Sequence, residues 1–228
     1  MKTVFAITMF AILLATSPSA RADDVDCSGS IGAVTVDGNV LVAATCSLDG
    51  TTVKGNVELF AGGSLTAQNV DIIGNIQGVD AFEVSVSDSD IGGSVQLEKL
   101  VGDATIRNNA IIGSIQLKEN RFQLVADGNT VGADIQAFEN FGGVDITSNT
   151  VDGNLQCKDN APEPTGGNNV VSGNKEDQCA NLQLASSGPA LSTAGTSASS
   201  SSGGGTAGPL FVLGLLVSVM LLRRNRGH

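Results

Sequence analysis

Tryptophan and tyrosine are absent from this 228-residue chain, and its single histidine is the terminal residue, His228. The first absence removes the amphipathic aromatic surfaces on which sugars usually stack. The second removes the imidazole on which much acid–base and zinc chemistry relies. The four cysteines, Cys27, Cys46, Cys157 and Cys179, form no C-x-x-C pair, so neither a redox motif nor a zinc-ligand spacing is present. Positive charge is also scarce, with 12 Lys and Arg against 23 Asp and Glu. No cofactor, metal or catalytic constellation is expected from this composition, and nucleic acid is not an expected partner of so acidic a chain.

What the chain does have is a short phrase, hydrophobic-x-Gly-(Asn/Ser)-hydrophobic-Gln, repeated around Gly55, Gly74, Gly93, Gly113, Gly153 and Gly173, with Ala133 filling the slot between Gly113 and Gly153. The nearly constant step predicts a chain that winds once per repeat and stacks each coil on the last. The expected fold is all-β: a single-stranded parallel β-helix (β-solenoid) of about 7–8 coils of about 19–20 residues. Two residues before the slot stand Val53, Ile72, Ile91, Ile111, Val131, Val151 and Val171, and two after it Val57, Ile76, Val95, Ile115, Ile135 and Leu155. A second strand precedes the slot, with Leu65, Val84, Ala104, Leu124 and Val144 in one column and Ala67, Val86, Ile106, Ala126 and Ile146 in another. Alternation with period two predicts short strands with one buried face, and the β-branched content favours them.

Three polar rows lie on this frame. Gln77, Gln96, Gln116, Gln136 and Gln156 share one position, preceded by Glu58; Asn109, Asn129, Asn149 and Asn169 share a second; Asn120, Asn140 and Asn160 share a third. Amides stacked about 4.8 Å apart can hydrogen-bond along the rod, and Asn tolerates the left-handed backbone of tight corners. All three rows are expected to be structural, and the Gln row is the candidate exposed ladder for a ligand. Residues one coil apart lie about 5 Å from each other, inside the Cα window of a disulfide. Cys27 and Cys46, and likewise Cys157 and Cys179, are close to one coil apart in sequence, which predicts the bridges Cys27–Cys46 and Cys157–Cys179, stapling the two ends. Lys175 and Asp177 stand in columns that are apolar in earlier coils, which predicts an end to stacking near Leu184.

The termini carry separate signals. Residues 1–22 read as a signal peptide: Lys2, then the apolar run Val4 to Ala15, then Ala20-Arg21-Ala22 ahead of Asp23. The β-helix domain is expected over 23–184, a Ser/Gly-rich linker over 185–207, and a hydrophobic sorting or membrane segment with a basic end over 208–228. Removal of both ends would leave seven cations against 23 carboxylates, a net charge of −16. Such a rod is expected to be soluble and to resist self-association.

Two resemblances add to this. Gly203-Gly204-Gly205, the apolar stretch and Arg223-Arg224 resemble the GlyGly-CTERM signal of Gram-negative exported proteins. That likeness implies a sorting protease as partner, cleavage near the glycines, a transient membrane tether and display at the cell surface; a plain membrane anchor is the alternative. The string from Gly153 to Asn160, followed by Lys175-Glu176-Asp177-Gln178-Cys179, resembles the closing segment of an uncharacterised family of exported right-handed parallel β-helix proteins. This likeness covers about residues 27–182, implies right-handed winding and brings no activity with it.

Some β-helix proteins cleave polysaccharides, which requires clustered carboxylates and long loops that wall a cleft. Asp80, Asp88 and Asp90 are the best local cluster, and Glu98, Lys99, Lys118 and Glu119 share a corner, but coils this short leave no long loop. The outward pairs Thr66/Gln68, Ser85/Ser87, Thr105/Arg107, Val125/Asp127 and Asp145/Thr147 do not make the regular Thr array of an ice-binding face. The expected function is a non-catalytic, surface-displayed structural or adhesion module of the bacterial envelope with a glycan or protein ligand. The alternative is a lyase-like or hydrolase-like enzyme.

Overall fold

The computed structural model describes residues 23–182. They form three parallel sheets wound around one core, with nine strands in the first sheet and eight in each of the others. One coil shows the plan. Ile115–Lys118 lies on the first face, which carries the glutamines; Leu124–Asp127 lies on the second face; Thr130–Val131 lies on the third. The next coil repeats it in register, with Ile115 against Ile135, Leu124 against Val144 and Thr130 against Thr150. Within each strand every second side chain turns inward, so Ile115, Leu117, Leu124, Ala126 and Val131 are all buried. The predicted columns are the core columns throughout, stacked as layers of Val, Ile, Leu and Ala.

Winding begins earlier and tighter than the later repeat suggests. Val25 pairs with Val40 and Val40 with Val57, so the first two turns use fewer residues than those that follow. Gly38 occupies the glycine slot of the second turn, one short turn before Gly55. The slot is a place of close backbone approach: a Cβ on Gly74 would lie 2.5 Å from the Gly55 carbonyl oxygen. Ala133 keeps the same contacts, donating its N–H to Gly113 O at 3.1 Å and accepting from Gly153 N at 3.0 Å.

The corners depart from the sequence reading. The ladder asparagines do not take the left-handed backbone; the residue before each one does. Asn108 and Asn168 have φ of 55° and 58°, while Asn109 and Asn169 turn their side chains into the core. The same division holds after the glutamine face, where Glu119, Glu139 and Asp159 have positive φ and Asn120, Asn140 and Asn160 are buried. A left-handed residue reverses the side-chain alternation locally, so the one that follows it points inward at the bend. There an amide can satisfy the backbone groups that the bend releases from the sheets.

Both predicted disulfides are present, with Cα–Cα distances of 5.5 Å for Cys27–Cys46 and 5.0 Å for Cys157–Cys179. Neither joins true register partners, because Cys46 pairs with Gly29 and Cys157 with Asp177. Each bridge reaches two residues away from that partner and ties a buried sulfur at the end of the rod. At the C-terminal end the strand Lys175–Asp177 is followed by a single 3₁₀ turn, Gln178–Asn181, which delivers Cys179 to the core. Lys175 and Asp177 are exposed where Leu155 and Cys157 beside them are buried, as expected of a terminating rung. The expected end at Leu184 lies just outside the described residues, as do the signal peptide, the linker, Gly203 to Gly205 and Arg223-Arg224.

Candidate functional site

The glutamine row forms as predicted and is longer by one member. Gln77 Nε2 donates to Gln96 Oε1 at 2.8 Å, Gln96 to Gln116 at 3.0 Å, Gln116 to Gln136 at 3.2 Å and Gln136 to Gln156 at 2.8 Å. Gln156 then donates to Glu176 Oε2 at 2.7 Å. A one-way chain of donors must stop at a group that accepts without needing to donate, and an ionised carboxylate is such a group. Glu176 occupies the glutamine position after Gly173, so the motif itself held the signal for it. Each amide in the row keeps one N–H and part of its carbonyl free for a group outside the rod.

Beside the row runs a shallow depression of about 460 Å³. Its floor is Gly78, Leu97 and Leu117, its inner edge the glutamines, and its outer edge the column Val79, Glu98, Lys118 and Phe138. The charged corner anticipated from the sequence borders it. Lys99 Nζ lies 2.6 Å from Glu98 and 3.7 Å from Glu119, and Lys118 Nζ lies 3.0 Å from Glu119. The hydrogen bond to Glu98, with Glu119 nearby, raises the Lys99 pKa, and the hydrogen bond to Glu119 raises that of Lys118. The same bond from Lys118 holds the Glu119 carboxyl below the usual carboxylate range.

Asp80, Asp88 and Asp90 are not gathered into a cluster. Asp80 sits at the corner that follows the glutamine face, Asp88 at the opposite end of the strand Glu83–Ser87, and Asp90 on the third face. The length of that strand separates the two corners by roughly 16 Å. Among the described residues no group of three His, Cys, Asp or Glu side chains could hold a metal ion. No helix among them is long and apolar enough to cross a membrane.

Two inner ladders line corners of the rod, one after the glutamine face and one between the second and third faces. Asn120 N donates to Asn140 Oδ1 at 3.0 Å, Asn140 N to Asn160 Oδ1 at 3.1 Å and Asn160 N to Gln178 Oε1 at 2.9 Å, so Gln178 is the final rung. The second ladder runs through Asn109, Asn129, Asn149 and Asn169 and extends to Ser89, whose N–H donates to Asn109 Oδ1 at 3.1 Å. A third, unforeseen ladder follows the glycine slot and runs the other way. Asn56 N donates to Asn39 Oδ1 at 2.8 Å and Asn75 N to Asn56 Oδ1 at 2.9 Å, and the series continues through Ser94, Ser114, Asp134 and Asn154. It starts from Asp24, again a carboxylate, which accepts from Asn39 N at 2.9 Å. Any short side chain with an acceptor oxygen serves here, which is why the motif reads as Asn or Ser rather than as one residue. Compared with protein-family models, with curated proteins and with solved structures, the chain has no match.

Proposed function

We propose that the chain is a non-catalytic structural or adhesion module displayed on the bacterial surface, with the glutamine face as its contact surface. The observation that carries this reading is the one-way row from Gln77 to Glu176, a set of free amide valences held at a constant spacing on a rigid face. A preorganised row of donors and acceptors binds a repeating partner at little cost in side-chain ordering. Two disulfides between neighbouring coils fit an oxidising environment. The signal-like residues 1–22 and the Gly203 to Arg224 segment support export followed by attachment through the C-terminal end.

The test is intact mass spectrometry of the protein isolated from its own cell envelope, combined with protease accessibility on whole cells. The expected product begins at Asp23, ends among Gly203 to Gly205 with an added group, and gains two hydrogens per disulfide on reduction. Deleting residues 203–228 should abolish surface display. Unchanged display after that deletion would remove the anchoring argument, and turnover of any member of a glycan panel would replace this reading with the enzymatic one.

A further inference from the structure

Five phenylalanines lie within residues 23–182, and none belongs to the core. Phe60, Phe82, Phe122, Phe138 and Phe141 all stand along the single corner that follows the glutamine face. With Val79 and Val101 they give every one of five successive coils at least one large apolar side chain at that corner. Phe60, Phe82, Phe122, Phe141, Val79 and Val101 are 42–58% exposed. The other exposed large apolar residues, Val34, Ile73, Ile112 and Val170, are scattered singly, as on any protein surface. Apolar side chains gathered on one edge and interspersed with Glu98, Lys99, Lys118, Glu119 and Arg121 make the composition of a contact surface.

The order of residues along this edge indicates which partner. Along the outer column of the glutamine face the register runs Val79, Glu98, Lys118, Phe138: apolar, acid, base, apolar. Beyond the corner the register runs Phe82, Val101, Arg121 and Phe141, with Phe122 one residue further along. A two-fold axis crossing the rod between the Glu98 and Lys118 coils reverses the outer column onto itself. It sets Glu98 against Lys118 of the second copy and Val79 against Phe138, and beyond the corner it brings Phe82 to Phe141 and Val101 to Arg121, with Phe122 beside that pair. Between these two rows, Lys99 meets Glu119 of the second copy. The like-charge pairing of Asp80 with Glu139 falls at the two ends of the patch. This is the self-complementarity that an isologous interface requires.

We propose that two rods pair antiparallel through this corner. The net charge of −16 on each rod opposes their approach at long range, and what favours pairing is the short-range match of opposite charges along the mixed-charge strip. The remaining carboxylates stay on the outer sides, screened beyond about 8–10 Å at ordinary ionic strength. The paired rows span four coils, about 20 Å, and three residues, about 10 Å, so roughly 400–500 Å² is buried in total, which places the dimer among the weakest contacts with a Kd well above about 1 μM.

The experiment is sedimentation equilibrium of residues 23–182, a stretch that contains every strand pair, core residue and disulfide described above. Wild type should pass reversibly from monomer to dimer with rising concentration. E98K and K118E should each weaken the dimer by about tenfold or more, because the two-fold doubles every like-charge contact, while circular dichroism and thermal melting remain those of a folded rod. Mixing the two variants should restore pairing, since positions 98 and 118 then again carry opposite charges across the interface. An effect confined to the fold of one chain cannot be rescued by the second variant. A wild type that stays monomeric at submillimolar concentration, single variants that pair as well as wild type, or a mixture no heavier than its components would each overturn the proposal.

Discussion

The inward position at the corner after the glutamine face is filled in two ways along the same rod. In the earlier coils it is Ala81 and Leu100, which plug it with apolar volume; in the later coils it is Asn120, Asn140 and Asn160, which plug it with amides. The backbone bends alike in both regions, since Asp80 and Lys99 have the same positive φ as Glu119 and Glu139. Leu100 marks the join. Its N–H donates to Asn120 Oδ1 at 2.8 Å, but its side chain offers nothing to the coil below. The two solutions differ in how failure spreads. An apolar plug interacts with its surroundings through volume alone, whereas each amide serves the coils on both sides, so the loss of one leaves unpaired groups in its neighbours.

That contrast can be tested from its largest effect downward. Asn140→Leu keeps a plug of similar size but removes the acceptor for Asn120 N and Nδ2 and the donor to Leu117 O. The expected loss is about 3–5 kcal/mol, from two or three buried groups left unpaired, measured by urea unfolding. Leu100→Ala in the apolar region should cost about 2–3 kcal/mol, through the lost transfer energy and the remaining cavity. If it proved the costlier of the two, the amides would be fillers rather than connectors. Gln178→Ala removes the last rung, which is partly open to water, and should cost about 1–2 kcal/mol. Hydrogen exchange should then quicken at the Asn160 amide and leave that of Asn120 unaffected.

The smallest effect is expected from the charged corner, which is open to water. The Glu119 pKa is depressed, so its contribution is present above the ordinary carboxyl value of 4.5 and is lost as the pH falls through its lower folded value. Those of Lys99 and Lys118 are raised, so their contributions are complete below the ordinary lysine value of 10.5 and are lost as the pH rises through the folded value. Melting temperatures of wild type and Glu119→Gln should therefore differ slightly at neutral pH and converge in acid.

The stacking, the core columns and the glutamine row were legible because each recurs at fixed distance from one glycine, and both disulfides because their partners lie about one coil apart in sequence. Other features escaped for identifiable reasons. Gly38 falls nearer to Gly55 than the common step allows, because the first turns are tighter, so the repeat reads as starting a coil late. The third ladder mixes Asn, Ser and Asp, and its common property is an acceptor oxygen rather than a residue type. Which of two adjacent residues takes the left-handed backbone, as with Asn108 and Asn109, depends on what the corner buries, and that is decided by the neighbouring coils. The phenylalanine edge was hidden because Phe60, Phe82, Val101, Phe122 and Phe141 are unevenly spaced and belong to different columns. Only the folded corner sets them side by side.

Asp24 and Glu176 terminate opposed ladders at opposite ends, and the coils between them are nearly interchangeable. The length of the rod is therefore an independent variable. Duplication or loss of one repeat unit, such as 115–134, would carry every ladder across the splice and change the span by about 4.8 Å, one strand spacing. A gene coding for such a ruler can be lengthened or shortened by unequal recombination without redesigning either end.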